Sequence, residues 1–174
     1  DVYKRQGLVL VNILNLENYL KGVVPCELSP DRFNAYEALK AQAVAARTYA
    51  VKNLGKNEDL GFDLCDTASC QVYGGLSAEH PLSNRAVEET KGEVAFYKGK
   101  LIDALYTSTC GGMTEDNENV FSGKAQPYLR AVECTYEKQR EWTLESRTLL
   151  PIMVSGRNID RDIAFLVSLN IILA

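Results

Sequence analysis

Glu27 is the residue of this sequence best suited to proton-transfer chemistry. It lies in the string VVPCELSP, residues 23 to 30, in which two prolines flank the acid. Because proline resists helix and biases the residue before it to extended geometry, we expect a turn that presents Glu27 ahead of the next helix. Val24 and Leu28 would draw the turn toward the core, and partial burial raises the pKa of a carboxyl group, as a general acid requires. A solvated turn acid or a helix cap is the alternative reading.

Arg47 is a second candidate, because it lies in an alanine-rich stretch among small residues. An arginine on such a face is usually paired or bound to something. It could orient Glu27 or hold a substrate oxygen, since its guanidinium group presents several donors in a fixed plane. An ion pair with Glu37 or Glu58 explains the residue equally well.

Two cysteines, Cys65 and Cys70, have the spacing C-x4-C. This spacing suits a metal pair, a small disulfide loop or two separate core thiols. The sequence has one histidine, His80, so a zinc site with four ligands would need Asp66, His80 or another cysteine. The spacing alone does not decide between these states.

A further candidate segment is the string STCGG, which begins at Ser108. Its paired glycines permit close approach of the backbone to a ligand, although a turn is the simpler reading. Tyr73 and Tyr106 supply aromatic faces of the kind that stack on sugar rings, and core packing explains them equally well. Gln71 and Ser108 are the polar candidates for holding such a ligand. We expect the segments around Glu27, Gln71 and Ser108 to converge on one site.

The pattern along the chain predicts one α+β domain with a central alanine-rich helix packed against small antiparallel sheets. The central helix is predicted from Asn34 to Leu54, with a capping box formed by Asn34 and Glu37. Helices of lower regularity are predicted for a segment capped by Asn15 and stopped by Gly22, and for Ala86 to Lys91. The predicted strands are Leu8 to Leu14, Glu93 to Tyr97, Lys100 to Thr107 and Tyr128 to Cys134, with a hairpin turn at Lys98-Gly99.

The composition is that of an ordinary water-exposed domain. The chain has 174 residues, 46% hydrophobic and 24% charged, with a net charge of −4. Without clustered cations, nucleic acid is not expected as a partner, and no run approaches the roughly 18 apolar residues of a membrane span. Residues 1–6 read like the translation of a sequencing adapter, so we expect the natural N-terminus, with any membrane anchor, to be missing. Residues 7–145 form the expected domain, and residues 146–174 are expected to be an incomplete C-terminal part.

Five strings in this order resemble the SpoIID domain, which stage II sporulation protein D and the amidase enhancer LytB share. They are YLKGVVPCE (residues 19–27), EALKAQAVAARTYA (37–50), DLCDTASCQVYGG (63–75), YTSTCGGMT (106–114) and PYLRAV (127–132). The resemblance covers roughly residues 8 to 142, and the long alanine-rich string is specific.

The resemblance implies a peptidoglycan-directed protein of the cell envelope, outside the cytoplasmic membrane. Catalytic members of the family are lytic transglycosylases that act on glycan strands stripped of stem peptides, and Glu27 stands where they have the catalytic glutamate. One carboxyl group suffices for that reaction, because intramolecular attack by the C6 hydroxyl replaces water and leaves a 1,6-anhydro end. Arg47, Gln71, Tyr73 and Ser108 are then predicted to orient the acid or hold the sugar.

The sequence departs from the family at one position that bears on metal binding. Ser69 stands where clostridial relatives have a histidine that is associated with a zinc site in some of them. We therefore expect no cofactor, with Cys65 and Cys70 as the remaining candidates for zinc. A different class of function also fits the family, namely a module that binds glycan strands and enhances a partner cell-wall amidase without cleaving anything.

Overall fold

The structure is a computed structural model that describes residues 10–32, 35–107, 112–121 and 123–133. Within these ranges the chain forms helices α1 (Leu16–Glu27), α2 (Tyr36–Lys52), α3 (Pro81–Glu89) and α4 (Asn117–Val120). Strands β1 (Phe96–Tyr97) and β2 (Lys100–Leu101) pair antiparallel, with Phe96 opposite Leu101 and Tyr97 opposite Lys100. Short 3₁₀ turns lie at Glu58–Leu60 and Leu76–Ala78. The α+β class predicted from the sequence is confirmed.

Helix α1 begins as predicted and ends later than predicted. Its N-cap is Asn15, whose side chain accepts a 2.9 Å hydrogen bond from the backbone N–H of Asn18, which satisfies one of the free donors of the first turn. Gly22 does not stop the helix, and Pro25 lies inside it. The turn predicted for residues 23–30 is therefore wrong in its first half, and Glu27 is the last residue of a helix.

The reason for the longer helix is burial of its second half. Val23 and Val24 are fully buried, and Leu28 follows directly after the helix with 4% exposure. Their burial offsets the effect of Pro25, which cannot donate a helical hydrogen bond and whose ring crowds the preceding turn, a cost of about 3 kcal/mol.

Helix α2 is the central element, as predicted. One of its faces packs with α1 and α3 in the main core, where Leu39, Ala43 and Ala46 meet side chains of the other two helices. Ala45, on another face, packs with Ile102 and Ala104 in a second and smaller cluster that also contains several tyrosines. The small alanine side chains let elements approach from both sides.

The capping box predicted for α2 is wrong. The N-cap is Ala35, which makes no side-chain cap hydrogen bond. The Glu37 carboxylate accepts a 3.0 Å hydrogen bond from Lys40 one turn later. Asn34 lies outside the described residues.

The remaining predicted elements form in part. Helix α3 begins at Pro81 rather than Ala86, because the His80 side chain caps it by accepting from the Leu82 N–H at 3.2 Å. The hairpin turn at Lys98-Gly99 is confirmed, with positive φ angles of 48° and 76°, but its strands are shorter than predicted. Residues 10–14 form no strand, and Leu10 and Ile13 are each more than 90% exposed.

The chain near residue 130 pairs with residues 113–114 and not in a regular strand. A single antiparallel bridge joins Met113 to Glu133, and Arg130 binds Asp116 and Glu118 of the α4 region. Predictions for residues 1–9, for Cys134 and for residues 135–174 lie outside the described residues. No helix among those described is long and apolar enough to cross a membrane.

Candidate functional site

The Glu27 carboxyl group lies at the C-terminal end of α1, partly buried. Burial raises its pKa, against the opposing effect of hydrogen bonds from the Val72 backbone and the Tyr106 side chain. The helix end acts in the same direction as burial, because it carries a partial negative charge that disfavours a carboxylate. The site therefore holds a carboxyl group that keeps its proton to higher pH than an exposed glutamate does.

Residues 71–75 run along the last turns of α1, and two of their backbone N–H groups donate hydrogen bonds to it. The Val72 N–H donates to Glu27 Oε1 at 2.7 Å, and the Gly74 N–H donates to the Gly22 carbonyl oxygen at 3.0 Å. Gly22 permits this contact, since a Cβ there would lie 2.5 Å from Cε2 of Tyr73. Gly22 therefore allows the approach of the segment that orients Glu27.

A hydrogen-bonded network of one buried and two half-buried side chains lies near the carboxyl group. The Tyr106 hydroxyl accepts a 2.9 Å hydrogen bond from Gln71 Nε2, and the Tyr106 side chain lies close enough to the Glu27 carboxyl group to affect its pKa. Gln71 is 1% exposed, and its Oε1 accepts from the Tyr19 hydroxyl at 3.2 Å. Burial is the largest cause that raises the pKa of both tyrosines, and the Glu27 charge adds to it.

Tyr73 adds an aromatic surface next to this network. Its ring stacks on Tyr19, with centroids 5.4 Å apart and planes inclined by 24°. Its hydroxyl accepts a 3.2 Å hydrogen bond from Asn12 Nδ2 in an exposed setting. Tyr73 as a whole is half-buried.

Arg47 is not part of this site. It is 1% exposed, and its Nε and Nη2 bind the two Glu17 carboxylate oxygens at 3.0 and 2.8 Å. The same guanidinium group donates to the carbonyl oxygens of Val87 and Glu93 and contacts the Thr90 hydroxyl. The predicted pairing with Glu37 or Glu58 is wrong, and with its donors engaged inside the protein Arg47 has no free surface for a sugar.

Cys65 and Cys70 form a disulfide, one of the three states that the spacing allowed. The loop that it closes leads directly into residues 71–75, and the Tyr73 N–H donates to the Asp66 carbonyl at 3.1 Å. The residues present fit zinc poorly, because disulfide sulfurs are not thiolates and Ser69 supplies no imidazole. Among the described residues no three His, Cys, Asp or Glu side chains are grouped so that they could hold a metal ion.

The structure thus brings together three of the predicted residues, Glu27, Gln71 and Tyr73, and leaves Arg47 apart. Ser108 lies outside the described residues. Sequence reasoning missed Val72 and Tyr19 as partners of the site, and it considered Tyr106 only for its ring. A backbone N–H carries no sequence signal, and a tyrosine hydroxyl is read as a hydrogen-bond donor only when its neighbours are known.

Comparisons with known proteins identify relatives of this chain. A family model described as "Stage II sporulation protein", named SpoIID, matches residues 4–97. An uncharacterized protein of Brachyspira hyodysenteriae is 49% identical over 126 residues, which are 72% of this chain and 33% of that protein. The amidase enhancer of Bacillus subtilis is 46% identical over 125 residues, 72% of this chain and 16% of the enhancer.

A third relative is the stage II sporulation protein D of Bacillus amyloliquefaciens. It is 35% identical over 162 residues, which are 84% of this chain and 46% of that protein. The chain thus spans less than half the length of each of these curated relatives.

Proposed function

Because the chain belongs to the SpoIID family of stage II sporulation proteins, we propose that it is a peptidoglycan lytic transglycosylase with Glu27 as its catalytic acid and base. The substrate class is the glycan strand stripped of stem peptides, and the products carry 1,6-anhydro-muramyl ends. The protein would cleave glycan strands during sporulation or cell-wall remodelling, in the cell envelope outside the cytoplasmic membrane.

The observation that carries the proposal is the environment of one carboxyl group. Glu27 is partly buried, lies at a helix end that disfavours its charge, and accepts a 2.7 Å hydrogen bond from the Val72 N–H. Burial raises its pKa, which suits a group that must donate a proton near neutral pH and then take one back. Tyr73 provides an adjacent ring on which a sugar can stack.

The reaction needs one carboxyl group in two successive roles. Protonated Glu27 donates its proton to the glycosidic oxygen as the bond from that oxygen to the muramyl C1 breaks. The resulting Glu27 carboxylate then removes the proton from the C6 hydroxyl of the same muramyl residue, whose oxygen forms the new bond to C1. The reaction consumes no water and releases no net proton, and Glu27 is protonated at the end as it was at the start.

The test is to incubate the protein with denuded glycan strands and to search for anhydro-muramyl products by mass spectrometry. Glu27→Gln keeps the shape and the acceptor for the Val72 N–H but cannot donate a proton, so we expect a loss of about 10²–10⁴-fold in rate, the usual contribution of a general acid or base. Glu37→Gln, on the exposed start of α2, is the matched control and should leave the rate unchanged. Equal rates for Glu27→Gln and wild type would refute the assignment of the acid.

A second candidate function is supported by the 46% identity to the amidase enhancer of Bacillus subtilis. In that case the protein binds glycan strands and stimulates a partner cell-wall amidase without cutting the strands itself. The two functions are separated by measuring glycan binding in a sedimentation assay beside product formation. Binding by wild type and Glu27→Gln alike, with no anhydro product from either, would favour the enhancer and reject the enzyme.

A further inference from the structure

We propose that Cys65 and Cys70 are positioning residues whose disulfide holds the backbone segment that orients Glu27, and that reduction of this disulfide by a dithiol loosens the site. The segment is residues 72–74, which lie between α1 and the loop that the disulfide closes. The effect on catalysis rests on the proposed function, whereas the effect on the segment does not.

Successive backbone N–H groups of residues 72–74 point in opposite directions. Those of Val72 and Gly74 donate to acceptors on α1, at 2.7 and 3.0 Å. The Tyr73 N–H, between them, donates to the Asp66 carbonyl oxygen at 3.1 Å, inside the disulfide loop. Neighbouring peptide groups of an extended chain face opposite sides, so α1 and the loop hold the segment from its two sides.

The loop side of this arrangement depends on the disulfide. The bridge joins Cys65 to Cys70 and brings their Cα atoms to 5.6 Å. Residues 66–69, which lie between the two cysteines, are exposed, so burial does little to hold them in place. The covalent link therefore does most to keep the Asp66 carbonyl oxygen beside the Tyr73 N–H.

Gln71 lies between the disulfide and the segment, and it fixes the place of the chain without fixing the direction of the next N–H. It is 1% exposed, and its Nε2 donates to the Ala46 carbonyl oxygen at 3.2 Å and to the Tyr106 hydroxyl at 2.9 Å. A side-chain anchor leaves the ψ angle of its own residue adjustable. The direction of the Val72 N–H is therefore set by the bonds that Val72 and Tyr73 make on opposite sides.

Reduction is a two-electron exchange between the disulfide and a dithiol. A thiolate of the dithiol attacks one protein sulfur, the bond between Cys65 and Cys70 breaks, and a mixed disulfide forms. The second thiol of the reagent then displaces the protein sulfur. The reagent leaves as an intramolecular disulfide, and each cysteine has gained one electron and one proton. The two thiols are then free to separate, which lets Asp66 move away from Tyr73.

The test compares amide hydrogen exchange in ¹⁵N-labelled protein before and after reduction with dithiothreitol. Exchange of the Val72 and Tyr73 amides should become about tenfold faster, the factor that corresponds to the loss of one backbone hydrogen bond. The Asn84 amide, which donates to the His80 carbonyl oxygen at 2.9 Å in α3, is the internal control and should keep its rate. An unchanged rate at Val72 overturns the proposal. Loss of the helical circular dichroism signal on reduction also overturns it, because the disulfide would then support the whole domain.

The double variant Cys65→Ser, Cys70→Ser imitates the reduced protein. Its Val72 amide should exchange as fast as that of reduced wild type, and dithiothreitol should change nothing further, although the other three cysteines of the sequence are still present. A response to dithiothreitol in this variant would assign the effect to another cysteine and reject the proposal. Cys26→Ser replaces an exposed free thiol and keeps the disulfide, so this matched control should respond to dithiothreitol as wild type does.

Activity measurements separate this proposal from the proposed function. For a transglycosylase, kcat of the reduced protein should fall by about 10–100-fold, as expected when a catalytic group loses its alignment, while KM for glycan stays near the value of the oxidised protein. Faster Val72 exchange on reduction, in a protein that forms no anhydro product, supports the positioning role and rejects the transglycosylase. Anhydro product formed at the same rate by the oxidised and the reduced protein does the opposite.

Discussion

Arg47→Met is expected to destabilise the domain strongly, because it breaks an ion pair on which several elements converge. Arg47 Nε and Nη2 hold both carboxylate oxygens of Glu17 at 3.0 and 2.8 Å, joining α2 to the first turn of α1. The same side chain binds the carbonyl oxygens of Val87 on α3 and Glu93 beyond it at 3.1 and 3.2 Å. Methionine fills most of the space but leaves these acceptors without their donor.

The magnitude follows from what remains behind. The Glu17 side chain is 17% exposed, and removing one partner of a buried ion pair typically costs about 3–5 kcal/mol because the other charge stays buried. Natural domains have about 5–15 kcal/mol of stability in total. The variant should therefore lose a large share of its free energy of unfolding, with a fall in Tm of roughly 10–15 °C.

The assay is urea unfolding followed by circular dichroism, with Arg85→Met as the matched control. Arg85 makes a 2.8 Å pair with Glu89, but its side chain is 67% exposed, so its loss should cost about 1 kcal/mol or less. Adding Glu17→Met to Arg47→Met should restore part of the lost stability, since no unpaired carboxylate then remains. The reasoning is refuted if Arg47→Met costs no more than Arg85→Met, or if the two losses in the double variant simply add.

Three further predictions concern the site and its supports. Gly22→Ala should lower the free energy of unfolding by about 1–2 kcal/mol, because the clash with Tyr73 outweighs the gain in helix propensity. The control Gly123→Ala should leave the free energy of unfolding unchanged, because nothing lies within 4 Å of the new Cβ. Equal urea midpoints for the two variants would contradict this. Replacing both cysteines of the Cys65–Cys70 disulfide by serine should lower the free energy of unfolding by about 2 kcal/mol, because the closed loop is short. Elemental analysis of the unreduced wild type should find no stoichiometric zinc. Glu27→Gln should raise Tm at neutral pH. The pKa of Glu27 is higher in the folded than in the unfolded protein, so the wild type loses stability as the pH rises through that range. The difference in Tm between the variant and the wild type should vanish near pH 4, and a difference that is constant with pH would exclude this cause.

The sequence was sufficient for features that depend on near neighbours along the chain. Asn15 caps α1, the alanine-rich stretch forms the central helix, and Lys98-Gly99 makes the hairpin turn with the positive φ angles that a two-residue turn needs. The resemblance to the SpoIID family, carried by ordered strings of residues, is confirmed. Each of these features depends on residues that are close together in the sequence.

The failures have a common physical cause, since each was decided by a contact with a distant part of the chain. Gly22 and Pro25 are reliable stop signals for an isolated helix, yet α1 continues because Val23 and Val24 are buried by α2 and α3. Arg47 pairs with Glu17, 30 residues away, and not with Glu37 on its own helix or with Glu58. Burial of an apolar helix face outweighs one missing hydrogen bond, and this burial is absent from local propensity.

The amino-acid sequence by itself determined that Glu27 is the candidate acid, that a small-residue helix lies at the centre, and which family the chain belongs to. Only the tertiary structure decided the surroundings of that acid: the end of α1 on which it lies, the Val72 N–H on one oxygen, and the nearby hydrogen bonds of Gln71 with Tyr19 and Tyr106. The reason is that hydrogen-bond direction and burial are properties of groups brought together from separate segments. Residue types can name a proton donor, but its pKa and orientation are set by neighbours that only folding supplies.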